Sequence, residues 1–526
     1  MRLGRLTLVP FVLGIVACGG EDPQQFNPNP VDDAGNPVDD AGNPIVDDAG
    51  KPIGKDGGTP TPDAGPPPVT GTPLVQNLTI TEVAVFQTVK IGVMKAGAAV
   101  TAKPPVVADR AALVRVYVAP QAGYSAHAIQ AQLTLQSGSG KTTYPVDVTP
   151  SATSTEATLA STINFSVPQG VIKPDTTYSV ALREKTGTSG PASGPAQWPA
   201  DGSLTTLGAV STGPQLKIVV VPIQYNADGS GRLPDTSPTQ IQRYKDILGA
   251  LYPTPQVDVS VHAAVPISFS ISGSGSGINT LLNTVLQVRA QDKPASDVYY
   301  WGAVAPAASF NAYCSGGCVT GLSPLVTNPN DSASRASVGI GFTGDDSIYT
   351  AAHEIGHAHG RNHAPCGGAS GTDPGYPYAG GSVGSWGYNR ITNTLIDPAK
   401  YKDIMSYCNP DWWSDYNYGA ILTRVKTVNG AQVVFGPPTS YHFGTVDEAG
   451  TIAWTGDATL DVTPGGEART VEYLDANGHV IATKTGYYYA YDHLPGGTLM
   501  APTVPGAVKT RLGSVAGTGA VRALGQ

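Results

Sequence analysis

Residues 353–363 read His353-Glu354-Ile355-Gly356-His357-Ala358-His359-Gly360-Arg361-Asn362-His363. On a helix, positions i and i+4 lie one turn apart on one face. His353 and His357 therefore present imidazole nitrogens to the same ion. Glu354 sits at the edge of that face and reaches a water at the ion without binding the ion itself. Gly360 suits the left-handed conformation that stops a helix, so the chain turns back and His363 becomes a third ligand. Three neutral nitrogens leave a fourth position open, as catalytic zinc sites do and structural ones do not. The expected cofactor is Zn2+, although nickel or copper would take the same ligands in vitro. His359 points about 200° away from His357 around the helix and is rejected as a ligand.

An HExxH pair alone arises by chance in a long helix; the added Gly and His at these spacings make coincidence improbable. The eleven residues resemble the metzincin family of zinc endopeptidases, whose pattern HExxHxxGxxH is followed by a Met-turn. Asp403-Ile404-Met405-Ser406-Tyr407-Cys408 stands at a fitting distance for that turn. The resemblance covers the catalytic segment, most firmly residues 346–420. It implies that Met405 forms an apolar floor beneath the metal. It also implies that Tyr407 acts as the Tyr of the astacin-like and serralysin-like branches does, binding the resting metal and later stabilising the oxyanion; a core Tyr is the alternative. The stretch 380–389 and the Met-turn are also similar to large secreted bacterial metzincins, including mucin-degrading ones. The implied activity is zinc-dependent hydrolysis of protein or glycoprotein substrates. In it the ion polarises the carbonyl and lowers the pKa of its water toward about 7, and Glu354 carries the proton to the leaving amine.

Outward from the centre, residues 214–428 alternate strand and helix patterns. LKIVVVPIQY (216–225) is nearly all apolar, as in a strand covered on both faces. Ser237-Pro238-Thr239-Gln240 is a helix start, with Ser as N-cap, Pro at the first helical position and Gln closing a capping box. Further helices are expected over INTLLNTVLQVRAQ and from Asp346, and further strands over VDVSVHAAV, DVYYWGAV and SVGIGF. DVYYWGAV (297–304) is either the edge that pairs with an extended substrate or an ordinary core strand. Trp386, Tyr388, Trp412, Trp413, Tyr416 and Tyr418 are divided between a side-chain pocket and the core, with core packing the safer assignment for any one. The expected fold class is α+β: a metzincin-like mixed α/β catalytic domain flanked by β-sandwich-like domains at 74–208 and 430–526, where short alternating runs are separated by turn residues.

The N-terminus reads as an export signal. Arg2 and Arg5 precede an apolar run, Leu6 to Val16, that is too short to span a bilayer. Ile15-Val16-Ala17-Cys18 resembles the lipobox of bacterial lipoproteins, which implies lipidation of Cys18 and a cell-envelope location, on the outer membrane or secreted. An ordinary secretory signal is the alternative. Residues 19–73 then form an acidic linker in which VDDAG recurs at 31–35, 38–42 and 46–50. It has almost no apolar content to offset the entropy of ordering, and it lacks the ligand alternation of a calcium loop. The formal net charge is -9, and residues 21–73, with ten acidic and two basic groups, hold -8 of it. Acidity thus describes a tail, and the lack of a basic patch argues against a nucleic-acid partner.

Of five Cys, four remain beyond Cys18, an even number that fits disulfides in an exported chain. The expected pairs are Cys314–Cys318, across Ser-Gly-Gly, and Cys366–Cys408. A second metal site at the first pair is disfavoured, because no His or acidic cluster accompanies it. The absence of Cys between 18 and 314 excludes a cysteine-switch form of latency. His127, His262, His442, His479 and His493 are isolated in sequence and receive no role. Asn226, Asp228 and Ser230 are read as a plain turn, with a calcium site as the alternative. A monomer is expected. The rivals to a peptidase are a surface-binding protein with an incidental metal centre and a zinc hydrolase of a non-peptide bond.

Overall fold

The apolar run Leu216–Tyr225 lies inside a sheet whose strand order is Val257–Val261, Leu216–Tyr225, Val298–Val304, Ala336–Ile340 and Gly321–Leu322. The first four are parallel and the last is antiparallel. This computed structural model describes residues 66–188, 190–431, 435–512 and 521–523. Cys18 and residues 19–65 of the expected linker lie outside the described residues. Residues 66–73, expected to end that linker, contact the sheet that follows: the Val69 amide donates to Gln130 Oε1 at 2.7 Å, and Gln132 Nε2 donates to the Val69 carbonyl at 2.9 Å.

Four longer helices flank the parallel sheet: α1 (Pro238–Leu251), α2 (Ile278–Asp292), α3 (Asp346–Ala358) and α4 (Asp415–Gly430). Ser237 caps α1 by accepting from the Gln240 amide, and Ser414 caps α4 by accepting from the Asn417 amide. Side-chain alternation in the strand Val298–Val304 explains the layering. Tyr299, Trp301 and Ala303 pack with Tyr244 and Leu248 of α1 and Ile348 and Ile355 of α3. Tyr300 and Val304 pack with Leu281 and Val285 of α2 on the other face. Gly302 lets α2 approach, since a Cβ there would stand 2.5 Å from Val285 Cγ2.

The possibility that residues 297–304 offer an edge to substrate is corrected by this sheet. Strand Val298–Val304 is paired on both sides and is interior. Its continuous apolar composition reflects burial on both faces, and no backbone edge remains free. The antiparallel Gly321–Leu322 is the strand at that end of the sheet.

Two antiparallel sheets form the N-terminal part. One is built on Leu78–Lys95, Ala112–Pro120 and Ile163–Val167, the other on Gly140–Val148, Ile129–Ser137 and Thr177–Glu184. Val83, Val85 and Val116 of the first share a core with Ile129, Leu133 and Leu182 of the second. That core runs on without a break into α1 and α3. The strands Gly387–Asn389 and Thr394–Ile396 also join the first sheet, through Thr88 opposite Tyr388. Of the aromatic residues near the metal pattern, Trp412, Trp413 and Tyr418 are buried in this core.

The C-terminal part is a seven-stranded antiparallel sheet. Its Phe443, Tyr489 and Met500 share a core with Leu281 and Val285 of α2. Thr498 Oγ1 donates to Asn283 Oδ1 of α2 at 2.7 Å. Strands Val480–Ala490 and Gly497–Pro502 pair there, and the turn between them lies beside α3. Phe443→Ala removes a side chain that is 0% exposed. It should cost about 3–5 kcal/mol and lower the single calorimetric transition of the whole folded part. A separate early transition for the C-terminal sheet alone would contradict this shared core.

Candidate metal centre

Helix α3 carries His353, Glu354 and His357 and stops at His359. Gly360 adopts φ +81°, its amide bonds the His357 carbonyl at 2.8 Å, and the Arg361 amide bonds the Gly356 carbonyl at 3.1 Å. This double closure is a Schellman motif, which requires the left-handed residue that Gly provides. A Cβ at Gly360 would also stand 2.9 Å from the Val326 carbonyl oxygen. The chain reverses here and brings His363 back.

His353 Nε2 and His363 Nε2 lie 3.1 and 3.2 Å from His357 Nε2. Each ring is fixed from behind. His353 Nδ1 donates to the Ile404 carbonyl at 2.7 Å, His357 Nδ1 to the Arg361 carbonyl at 2.6 Å, and His363 Nδ1 to the Ser370 carbonyl at 2.5 Å. A carbonyl only accepts, so the proton of each neutral ring is on Nδ1 and each Nε2 carries a lone pair. The Nε2 contacts are therefore meetings of lone pairs, not hydrogen bonds. Burial holds His353 and His357 well below the ordinary imidazole pKa and lowers His363 too, so the rings stay in the neutral, ligating form. Three converging lone pairs call for a cation between them.

Met405, expected beneath the cluster, is 0% exposed and packs against α3. Gly356 makes room for it: a Cβ there would be 2.5 Å from Met405 Sδ. Asp403 organises the turn. Its Oδ1 accepts from the Met405 amide at 2.8 Å and from Asn417 Nδ2 at 2.9 Å, and its Oδ2 accepts from the Ser414 amide at 3.0 Å. The Cys366–Cys408 disulfide joins the loop after His363 to the end of this turn, and the Ala364 amide bonds the Met405 carbonyl at 2.9 Å. Cys314–Cys318 is the second disulfide. Both expected pairs are present, and no Cys thiolate lies at the centre among the described residues.

Glu354 is buried beside the His cluster, at 1% exposure. Gly321 accommodates it, since a Cβ there would be 2.4 Å from Glu354 Oε1. The Tyr407 ring stands 4.9 Å from the His363 ring, centroid to centroid, and its hydroxyl is 3.0 Å from His493 Nδ1.

His493, to which the sequence assigned no role, stands at the centre. Its isolation holds along the chain and fails in space, because a C-terminal turn carries it in. His353, His357, His363, Asp492 and His493 each offer a ligand atom, and all five atoms lie within 4.8 Å of one another. Asp492 Oδ2 is 3.2 Å from His357 Nε2, and His493 Nε2 is 2.9 Å from Glu354 Oε1. Burial works against the His493 charge, but Asp492 and Glu354 outweigh it and push its pKa up to about 9. Asp492 Oδ2 and Glu354 Oε2 are buried and accept no hydrogen bond, although His493 Nδ1 stands 3.0 Å from Asp492 Oδ2 as an ion pair. Orphaned oxygens facing three lone pairs fit a metal ion, which would satisfy them together. The detectable signal in sequence was an Asp-His pair ahead of Pro-Gly-Gly (492–497), which places polar chemistry on a tight turn.

His359 lies apart from the cluster. It stacks on Tyr299 with centroids 4.5 Å apart and donates from Nδ1 to the Ile355 carbonyl at 2.7 Å. Burial lowers its pKa to about 3. His127, His262, His442 and His479 pair with Glu184, Asp292, Asp457 and Asp475, away from the centre. Asp228 accepts from the Ser230 amide at 3.1 Å and pairs with Arg232, as a plain turn does.

Two outcomes follow. The folded pKa of His359 is depressed, so its contribution is full above about pH 6.5 and is lost as pH falls toward 3. In denaturant titrations of chelated protein, wild type should lose stability below about pH 6.5 more steeply than His359→Phe; equal slopes would contradict the assignment. Chelation should lower the unfolding midpoint, because an ion held at a thousand times its Kd stabilises by about 4 kcal/mol. An unchanged midpoint would show that nothing binds there. A family model described as Peptidase M66, a metallopeptidase family, matches residues 326–423. No curated protein matches the chain. The match spans the strand Ala336–Ile340, α3, the loop of His363, the Met405 turn and the first half of α4, and it supports a metallopeptidase acting on protein.

Proposed function

We propose that this chain is an extracellular zinc-dependent endopeptidase of metzincin type, held at the cell envelope through a lipid on Cys18 and acting on proteins or glycoproteins. The observation that carries this reading is the convergence of three Nε2 lone pairs beside one buried carboxylate, Glu354. His353, His357 and His363 would hold the ion. Three imidazoles without thiolate are the ligand set of catalytic zinc. When bound, such an ion acts as a Lewis acid on the scissile carbonyl and on the attacking water.

The chain's own residues do the rest. Glu354 takes the proton of the attacking water and delivers it to the leaving amine. Burial, with the Asp492 charge next, raises its pKa above the ordinary carboxylate range, and the neighbouring His493 opposes that rise. Tyr407 would donate to the oxyanion of the tetrahedral intermediate. The Nδ1–carbonyl bonds keep the three rings aimed throughout, and Met405 with Trp413 closes the floor against water. The strand Gly321–Leu322, next to Glu354, is the place for an extended peptide to pair.

The test compares wild type with Glu354→Gln on casein and on a glycoprotein, with products read by mass spectrometry. Glu354→Gln should lose about 10²–10⁴-fold in rate, the usual worth of a general base, while keeping its metal. Equal cleavage by the two proteins would overturn the assignment of Glu354 and favour a binding role.

A further inference from the structure

We infer that the turn Tyr491–Gly496 is an internal latch that occupies the substrate cleft and fills the fourth position of the metal site with Asp492. The inference rests on the peptidase reading of that site. Three independent features carry it.

The first is the path of the main chain. The turn leaves strand Val480–Ala490, closes with the Tyr491 amide on the Gly496 carbonyl at 3.1 Å, and returns in Gly497–Pro502. Along the way it pairs with the chain that continues the edge strand. The Leu325 amide bonds the Ala490 carbonyl at 3.1 Å, Pro324 and Tyr491 form an antiparallel bridge, and the Asp492 amide bonds the Ser323 carbonyl at 3.4 Å. An extended substrate adding to a sheet edge makes main-chain bonds of this kind. The turn and a substrate strand cannot hold this stretch together.

The second is Asp492. Its side chain is 0% exposed, and its Oδ1 accepts from the Ser323 amide at 3.1 Å. That bond turns Oδ2 toward the cluster, where it lies 3.2 Å from His357 Nε2 and 3.0 Å from His493 Nδ1, without a hydrogen bond to either. Three imidazoles and a carboxylate make a four-ligand set, and a closed set leaves no place for the reacting carbonyl.

The third is His493. Its Nε2 is 2.9 Å from Glu354 Oε1 and its Nδ1 is 3.0 Å from the Tyr407 hydroxyl. One residue of the turn thus engages both groups assigned to catalysis. The strands behind the turn are anchored in the core on α2 through Tyr489 and Met500. Tyr491, at the foot of the turn, sits in the same core, so opening needs movement of residues 492–496 alone and not release of the C-terminal sheet. A substrate gains the cleft by displacing the turn.

The experiment uses the full chain with Asp492→Ala, the isosteric Asp492→Asn and His493→Ala, each alone and combined with Glu354→Gln. Peptide hydrolysis is one readout. The others are the electronic spectrum of the Co2+-substituted protein and the affinity for acetohydroxamate, a probe that needs an open metal position. Asp492→Ala and Asp492→Asn should hydrolyse peptide faster than wild type and change the Co2+ spectrum. They should bind hydroxamate at least about tenfold tighter, the factor by which an open state populated one time in ten weakens apparent affinity. His493→Ala should also speed hydrolysis, and Glu354→Gln should cancel each gain. Slower hydrolysis with loss of metal in both Asp492 variants would overturn the latch and make Asp492 a working ligand. Variants that match wild type in all three readouts would also overturn it. An altered spectrum and tighter hydroxamate with no hydrolysis by any variant would uphold Asp492 in the fourth position and overturn the peptidase reading instead.

Discussion

The arrangement of the whole centre depends on three hydrogen bonds behind the metal cluster, from the Nδ1 atoms of His353, His357 and His363 to the carbonyls of Ile404, Arg361 and Ser370. They fix which nitrogen of each ring is free. They also dictate which backbone must stand where, so three distant pieces of chain are held to one point. The Ile404 carbonyl is set by the Asp403 turn, the Arg361 carbonyl by the Gly360 reversal, and the Ser370 carbonyl by a loop joined to that turn through Cys366–Cys408. Without those partners the rings would rotate freely, and ordering them would cost side-chain entropy at the moment of metal binding.

The glycines of the centre serve the same constraint. Gly356 admits Met405 from below, Gly321 admits Glu354 from the side, and Gly360 turns the chain so that His363 can return. Each is a close approach that a Cβ would block. The parallel sheet and α2 supply the rigid support, and the C-terminal sheet is part of that support because it shares the core on α2. The flanking β-rich parts are thus structural members of the catalytic unit. The latch draws on this, since a turn placed by a fixed sheet can be aimed at a metal site to within hydrogen-bond distances.

Much of the centre was legible in the sequence because it is local. His353 and His357 are one helical turn apart, Gly360 announces the stop, and Met405 follows in a recognisable turn. The helix starts at Ser237 and Asp346 were equally readable, being capping and charge patterns of a few residues. Strand neighbours were not readable. The run at 297–304 carries the composition of a strand buried on both faces, but composition alone does not say which strand ends the sheet. Asp492 and His493 were missed for a related reason. His493 meets Glu354 across 139 residues, and the Asp-His pair before Pro495-Gly496-Gly497 marks a polar turn without saying what it meets. Only the pairing of two long strands, fixed by the core on α2, brings that turn to the metal.

The central claim is that one ion is held by three imidazoles, with the Asp492 carboxylate completing the set. X-ray absorption at the metal edge of the purified full-length protein tests it most directly, since it counts ligands by element and distance. The account predicts zinc with three nitrogen scatterers at about 2.0–2.1 Å, with imidazole outer shells, and one oxygen at about 2.0–2.2 Å. A sulfur shell at about 2.3 Å, an all-oxygen shell, or protein that purifies without metal would contradict it.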